Sequence, residues 1–433
     1  MTIERKVGMG IAGQVGGQDL DTWYNTERFS QDTIAFTDSV VDSDGNVYAA
    51  GTFGTYANSA TARVFWYVKY DYEGTVQFKK KINPNTGWGK VANGSCSIVL
   101  DEDNGHLYIT GEADNKFYLF KVNSSNGSDV WKKELSSNGD AYCLAIDYSG
   151  NVIVHASTGN QTRVVKFAPN GTVTWARRAT ISNSENGAVC VDPDDNIYIG
   201  GRSVDNVGNK LFVAKFNSSG AVQWQFRYTA NNGVGINNGA SGMTFANSSL
   251  YVAFESSGQA NLMRVNPATG AYTAAKKVTS CRDNPMSYNS LDHDEDGEIY
   301  WLTHNNTTQR GQIHKLNAGL SHHYSREIYG SRSGSGFRAN GITVHRDTFI
   351  VTATASLFDY QFDAIVTVLP TDGSKSGNTF NKITYASVTV PASNAINATS
   401  TSFTFNSFTF GVSNTSAGWQ DATSNVSNTF QSI

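Results

Sequence analysis

Charged residues, prolines and long apolar runs are all scarce in this sequence of 433 residues. Asp, Glu, Lys and Arg make up 16% of the chain, well below the ~25% of an average soluble protein, and there are only 7 prolines. Asn, Ser, Thr and Gly supply the polarity instead, and these residues form turns more readily than helices. The composition therefore indicates a β-rich protein and argues against a helical one.

Signals for membranes, secretion and nucleic acids are missing as well. No window of about 18 apolar residues occurs, and residues 1–13 contain one basic pair but no apolar signal-peptide segment. The net charge is -4, and like charges form no long run. We therefore expect no membrane span, no conventional secretion and no nucleic-acid partner.

The cysteines and histidines form no obvious site. The four cysteines lie far apart without a CxxC pair, which fits neither a disulfide framework nor a zinc site: Cys96, Cys143, Cys190 and Cys281. We expect buried free thiols in strands. Among the eight histidines only His322 and His323 are adjacent, and neighbours on a strand point to opposite faces. Surface or hydrogen-bonded histidines are the expectation.

A repeated phrase runs along the chain, in which turn residues are followed by a branched apolar residue and then by Tyr or Ile. Its copies are 45 to 60 residues apart, a period that suits four short strands per unit. The seven copies are 44–48, 104–108, 149–153, 194–198, 247–251, 296–300 and the more degenerate 346–350.

A second phrase follows several copies of the first and indicates a hairpin. Residues 165–175 and 214–224 each contain a strand, an Asn-Gly or Ser-Gly turn, and a strand that leads to Trp. A unit such as 144–175 therefore contains four strands. The sequence predicts an all-β fold, a seven-bladed β-propeller of four-stranded antiparallel blades, with a solenoid of stacked units as the alternative.

Large aromatic side chains are expected to join the blades. Trp131, Trp175 and Trp224 fall on the outer strands, where each can cover the neighbouring sheet. Carbohydrate-stacking platforms are the functional alternative for these residues.

Two segments lack the repeat, which divides the chain into an N-terminal arm (1–32), the propeller (33–390) and a C-terminal β extension (391–433). We place the outer strand of blade seven near Thr379 to Val390, although an N-terminal strand could close the ring instead. The tail contains alternating runs such as 402–406, which predict strands with one aromatic face. It is too short for its own core, so it should dock on the propeller or on another chain.

The sharpest local motif is an acidic turn in the sixth repeat. Asp292, Asp294 and Asp296 have the D-x-D-x-D-G spacing that hard Ca²⁺ ions favour, and they are the candidate metal ligands. The eighth position after the first Asp, acidic in propeller calcium loops, is Tyr300. Similar acidic turns occur in other repeats, so ordinary turn chemistry is the alternative.

No catalytic set can be assembled from the sequence. A G-x-S-x-G elbow, a phosphate-binding loop and an H-E-x-x-H helix are all missing, and no cofactor is expected beyond possible Ca²⁺. A polysaccharide-degrading enzyme with a carboxylate pair stays open, because sequence cannot show whether residues 292–296 face another acid.

The repeat phrases resemble bacterial β-propeller repeats of the SBBP and quinoprotein-like families over residues 33 to 390. The Gly-x3-Trp elements at Gly127, Gly171 and Gly220 resemble the tryptophan-docking corners of quinoprotein propellers. This resemblance implies the fold and no quinone-dependent activity, since matching ligands are missing.

The whole chain is similar in style to structural proteins of tailed bacteriophages, especially those that infect marine cyanobacteria. This resemblance implies a non-enzymatic virion component of the tail, baseplate, nozzle or fibre attachment, with other virion proteins and copies of itself as partners. The alternative is a host receptor-binding module whose loops, such as 231–239 and 305–311, bind glycan.

Overall fold

The computed structural model describes two stretches of the chain and parts of its tail. They are residues 23–29; 33–388 except 55–63, 84–95, 114–115, 139, 159–160, 181–184, 206–207, 231–235, 279–280, 283–288, 306, 331–336, 356–362, 377 and 381–382; and 392–393, 396–399, 406–407, 412–414, 418–421 and 426–432. These residues form strands and turns, and they include no helix with the length and apolarity needed to span a membrane.

Seven antiparallel sheets follow one another along the chain, which confirms the predicted seven-bladed β-propeller. In each blade the first strand lies nearest the axis, and the hairpin order places the fourth farther out. The first three blades are β2 (Thr33–Val41), β3 (Val47–Gly54), β4 (Val64–Tyr70) and β5 (Val76–Asn83); β6 (Cys96–Asp101), β7 (His106–Ala113), β8 (Lys116–Asn123) and β9 (Asp129–Asn138); β10 (Asp140–Ile146), β11 (Val152–Thr158), β12 (Gln161–Phe167) and β13 (Val173–Thr180).

The remaining blades repeat this order. Blades 4 to 6 are β14 (Glu185–Val191), β15 (Ile197–Asp205), β16 (Gly208–Phe216) and β17 (Val222–Ala230); β18 (Ile236–Ala246), β19 (Ser249–Ser256), β20 (Gln259–Val265) and β21 (Tyr272–Val278); β22 (Leu291–His293), β23 (Ile299–Asn305), β24 (Arg310–Leu316) and β25 (His322–Gly330). Blade 7 has β26 (Arg338–His345), β27 (Thr348–Ala355) and β28 (Asp363–Pro370).

The fourth strand of blade 7 comes from the other end of the chain. β1 (Trp23–Phe29) pairs with β28 and closes the ring. The placement of this strand near Thr379 to Val390 was therefore wrong. That stretch contains β29 (Asn378–Phe380) and β30 (Ile383–Ser387), and β30 pairs with β25 of blade 6. The apolar pattern predicted a strand there, but it could not show which strand would be its partner. The pairing of β1 with β28 joins opposite ends of the chain and leaves no local signal in the sequence.

The tail strands form a belt around the rim. We use this name for β30 together with β31 (Ala392–Ser393), β32 (Ile396–Thr399), β33 (Asn406–Ser407), β34 (Val412–Asn414), β35 (Gly418–Asp421) and β36 (Val426–Ser432). They add an outer strand to blades 6, 5, 4, 3, 2, 1 and 7 in that order, opposite to the order of the blades in the chain. The tail was expected to dock either on the propeller or on another chain, and the belt strands dock on the propeller.

The apolar core is divided among the contacts between adjacent blades. The described residues form seven buried clusters, and each draws its side chains mainly from two neighbouring sheets. Trp23 and Trp66, for example, join blades 7 and 1 in one cluster. Each cluster therefore stabilises the contact between two adjacent blades.

The predicted tryptophan contacts between blades are confirmed. The indole N–H groups of Trp131, Trp175 and Trp224 donate to carbonyl oxygens of Pro169, Ser218 and Pro267, each in the next blade. Trp23 of β1 makes the same bond to Tyr72 of blade 1. The N-terminal strand therefore completes both the sheet and the aromatic contact.

Candidate functional site

One face of the ring is rich in acidic residues. The turns between first and second strands and between third and fourth strands share one face, the turn face. Those turns, with the segment after β28, contain 16 of the 37 acidic residues and 2 of the 33 basic residues. We call the opposite face, where second strands lead to third strands, the loop face. An anionic partner is repelled by the acidic turn face.

Irregular inner strands line the axis. Five of the seven inner strands contain β-bulges, each of which inserts an extra residue into the strand. Thr37 in blade 1 and Asn340 in blade 7 are two examples. A bulge redirects a side chain out of the regular sheet pattern. Here it turns polar side chains towards the neighbouring inner strand.

Asp38 of β2 is the centre of the axial polar cluster. One carboxylate oxygen accepts from the backbone N–H of Ser39 at 2.9 Å and from Asn289 Nδ2 at 2.7 Å. The other accepts from Ser97 Oγ at 2.9 Å and from the backbone N–H of Ile98 at 3.0 Å. Blades 1, 2 and 6 thus meet at one carboxylate.

Burial raises the pKa of Asp38 to about 6, and the four hydrogen bonds oppose this rise by favouring the charged form. A carboxyl group with such a pKa could in principle transfer protons near neutral pH. Both of its oxygens are occupied by protein donors, however, and the side chain is 4% exposed. The geometry indicates a structural role for Asp38, which links blades 1, 2 and 6.

Other bonds continue this cluster around the axis. The amide of Asn340 donates to the carbonyl oxygen of Phe36, and the hydroxyl of Thr37 donates to that of Cys96. The N–H of Leu144 donates to Ser97 Oγ. These contacts join blades 7, 1, 2 and 3, so polar groups at the axis find partners in adjacent blades instead of water.

The acidic turns stabilise themselves. Asp42 accepts from the backbone and side chain of Asn46 and from the hydroxyl of Tyr48. Asp192 repeats this pattern with Asn196 and Tyr198. The hydrogen bonds satisfy turn N–H groups, which is the ordinary role of an Asp at a turn.

The three candidate metal ligands have separate surroundings. Asp292 is buried in β22 and accepts from the N–H groups of His293 and Val344. Asp294 accepts from the N–H of Glu298 and the hydroxyl of Tyr300, while Asp296 is exposed. The described residues contain no group of three His, Cys, Asp or Glu side chains arranged to hold a metal ion. Calcium binding at this turn stays a prediction.

Histidines and cysteines have structural surroundings. Burial lowers the pKa of His155 and His304 to about 4 and that of His314 to about 3. His314 bridges the hydroxyls of Thr303 and Ser325. The four cysteines are buried and form no disulfide, as predicted, and Cys96, Cys143 and Cys190 lie in strands while Cys281 does not. His322 and His323 have different partners, Ser325 and Glu298 respectively.

Of the two predicted glycan-binding segments, the second lies on the loop face. Residues 231–235 of the first lie outside the described part, and 236–239 begin β18. The second connects β23 to β24, where the Asn305 side chain accepts from the N–H groups of Thr307 and Thr308. Thr307 and Thr308 are exposed, so the second segment offers polar groups to a ligand.

Sequence reasoning missed Asp38 and Asn289. A charged residue within the apolar run 33–41 was the available signal for Asp38. Asn289 carried no comparable signal, because its partner lies 251 residues away.

Comparisons with known proteins identify no family for this chain. No protein-family model matches the chain. No curated protein matches it either. The solved structures that it resembles include the polysaccharide lyase Uly1 (10% identity, TM-score 0.46, 86% of this chain and 98% of that one) and the Dos1 propeller (8%, 0.47, 80% and 95%). Another is Sqt1 from Chaetomium thermophilum (9%, 0.44, 82% and 99%). At such low identity the likeness assigns no activity.

Proposed function

We propose that this chain is a non-enzymatic structural component of a tailed-bacteriophage virion, in the tail, baseplate, nozzle or fibre attachment. Its partners are other virion proteins and copies of itself. The stylistic resemblance of the sequence to phage structural proteins gives the class. The structural observation that carries the proposal is the belt.

The belt supports a mechanical role because it ties every blade to one continuous segment. Each blade has an outer strand from residues 383–432, and β36 covers the ring-closing strand β1 along its whole length. Separating two blades then requires rupture of the contacts between them and displacement of the belt. A protein that carries load within a particle needs such resistance.

The surroundings of the carboxylates also favour a structural role over catalysis. Asp38, Asp42 and Asp192 accept several hydrogen bonds from side chains or backbone groups of the ring. Glycoside hydrolysis requires two carboxyl groups that face a substrate and are free to transfer protons. These side chains are committed to turns and to the axis.

Localisation in particles tests the proposal. Density for the seven-bladed ring should appear in cryo-electron microscopy maps of purified phage particles that carry this gene, and its peptides should be found by mass spectrometry at fixed stoichiometry. Two phages are compared, one whose chain lacks residues 426–433 and one whose chain carries the exposed Thr174→Ser substitution. The second phage controls for expression, so the comparison reports on assembly. Loss of the chain from particles in the first phage alone is expected. Particles that lack the wild-type chain would refute the proposal.

A second candidate is receptor or glycan binding at the loop face, favoured by the exposed polar residues Thr307 and Thr308. Glycan-array binding by the purified protein, abolished by Thr308→Arg at this face and retained in Thr174→Arg on the rim, would support it. Equal binding by both variants would contradict it.

A further inference from the structure

Basic residues recur where the belt pairs with the blades. In blades 1–6 the belt strands pair with the fourth strand, and in blade 7 they pair with β1. These paired positions contain nine basic and three acidic residues, and every blade contributes at least one of the basic residues. We name these nine the basic ring: Arg28, Lys80, Lys81, Lys133, Arg177, Arg178, Arg227, Lys277 and Arg326.

The belt does not neutralise this charge. Residues 383–433 contain one charged residue, Asp421, which pairs in register with Lys80. The other positions of the basic ring pair in register with Ser, Thr, Asn or Gln of the belt. Lysines on an exposed strand edge can prevent unwanted pairing, but these positions are already paired. Neither docking of the tail nor protection of an edge therefore explains the basic ring.

The neighbouring strands add to the positive charge of the rim. The third strands of blades 1–6 contain basic residues and no acidic residue. In blade 3, Arg163 lies directly opposite Arg178 of the basic ring. Burial and the positive charge of Arg178 both lower the pKa of Arg163. Like charges opposite each other destabilise a sheet, so an anionic partner at the rim would stabilise the protein.

Aromatic rings hold some of these cations in place. The guanidinium group of Arg177 lies over the Trp175 ring, 5.5 Å from its centroid. The ammonium group of Lys133 lies over the Trp131 ring, 5.8 Å from its centroid. Such contacts fix the position of a cation without removing its charge. A side chain that is already positioned loses less conformational entropy when a partner binds.

We propose that the basic ring binds the acidic surface of a partner protein that surrounds the rim. Basic residues in all seven blades suit a partner that follows the circumference. A nucleic acid or a long anionic glycan fits less well, because the chain has a net charge of -4 and an extended polyanion would also meet the acidic turn face. A folded partner contacts the rim alone. This inference rests on the scaffolding function proposed above and defines the chemistry of the partner.

Binding of fluorescent poly-L-glutamate to the purified full-length chain tests this inference. Fluorescence anisotropy should show an affinity that falls at least about tenfold between ~50 and ~500 mM salt, because salt screens exposed charges. Arg178→Gln with Lys277→Gln should weaken binding at least about threefold. The matched control Arg282→Gln with Lys375→Gln removes the same charge away from the rim and should bind as wild type. Thermal denaturation checks that both double variants fold.

Lack of binding, an affinity independent of salt, or equal loss of affinity in both double variants would each overturn the proposal. Binding of duplex DNA or dextran sulfate, but not of poly-L-glutamate, would overturn the choice of a protein as the partner.

Cross-linking in purified phage particles identifies the partner. A zero-length carboxyl–amine cross-linker should join Lys81, Lys133 or Lys277 to acidic residues of another protein. Particles that contain the chain without such links would overturn the proposal. Absence of the chain from particles would refute the virion function, while the measurements on purified protein would still decide the role of the basic ring.

Discussion

Asn289, which precedes blade 6, donates to the carboxylate of Asp38 in blade 1 over 2.7 Å, although blade 7 lies between these blades in the ring. Its carbonyl oxygen accepts from the N–H of Ile342 in blade 7. One residue therefore contacts three blades at the axis.

Replacement of Asn289 by Ala should destabilise the ring. The change removes a donor from a buried carboxylate, and loss of such a partner costs about 1 to 3 kcal/mol. Chemical denaturation at pH 7.5 measures the difference. Asn289→Asp should be worse at pH 7.5 than at pH 5, because two facing carboxylates repel when both are charged. Equal stability of Asn289→Ala and wild type would show that the bridge contributes nothing.

Replacement of Trp175 by Ala should cost about 3 to 5 kcal/mol, the usual penalty for truncating a buried Trp. The side chain is 8% exposed and contacts Phe216 of blade 4 with ring centroids 6.1 Å apart. Trp175→Phe removes the indole donor to Ser218 and should cost less. Urea denaturation gives both values, and Tyr272→Ala on the exposed rim provides the control.

Gly220 should not tolerate Ala. Its φ is 78°, and a Cβ would lie 2.6 Å from Cδ2 of Trp175. Gly220→Ala therefore combines backbone strain with a steric clash at the blade contact, and we expect a loss of more than about 1 kcal/mol. Gly319→Ala is a matched control in another turn, where a Cβ meets only the Asn317 side chain at 3.3 Å. Similar thermal stability of the two variants would contradict this reason.

Acidification should destabilise the protein between pH 6.5 and about 4. His155, His304 and His314 have lowered pKa values in the folded state, so the unfolded chain binds more protons in this range. For His155 the shift to about 4 corresponds to about 3 kcal/mol. Denaturant midpoints at several pH values measure the loss, and His155→Gln should reduce the slope.

Asp38 acts in the opposite direction. Its pKa is raised from 3.8 to about 6, so the folded state binds the extra proton, and this group alone favours folding as pH falls through that range. Three histidines should outweigh one carboxyl group. A stability that rises from pH 6.5 to 5 would show that Asp38 dominates.

Deletion of residues 426–433 should loosen the closure of the ring. β36 pairs with all seven residues of β1, and each lost backbone hydrogen bond costs roughly 1 kcal/mol. Limited proteolysis should then cut near residues 23–29 faster than in the full chain. Substitution of Ser427 and Ser432 by Thr, which keeps the strand, should leave the rate unchanged.

The blades were predictable because their signals are local. Turn phrases such as 149–153 recur at the blade period, and the Gly before Trp131, Trp175 and Trp224 marks hairpins within a few residues. The inner, second, third and fourth strands of blade 3 lie where the sequence indicated them. Propensity and turn chemistry decide such elements.

Pairings between distant segments were not predictable. The Ser-, Thr- and Asn-rich sequence of the tail indicated strands but did not show which strands they would pair with. The strands β31 and β33 have only two residues each, too few for a sequence pattern. Asp38 similarly depends on a donor from a blade that precedes it around the ring but follows it in sequence. Such contacts are set by ring closure, which no local pattern encodes.

The reversed order of the belt determines how the molecule responds to tension. A pull on the C-terminus reaches β36 first and then β35, β34 and each earlier strand in turn, so the rim is peeled in single steps while the inner strands remain paired. A pull on the N-terminus loads β1 between two partners in shear. The two ends of the chain should therefore yield at different forces.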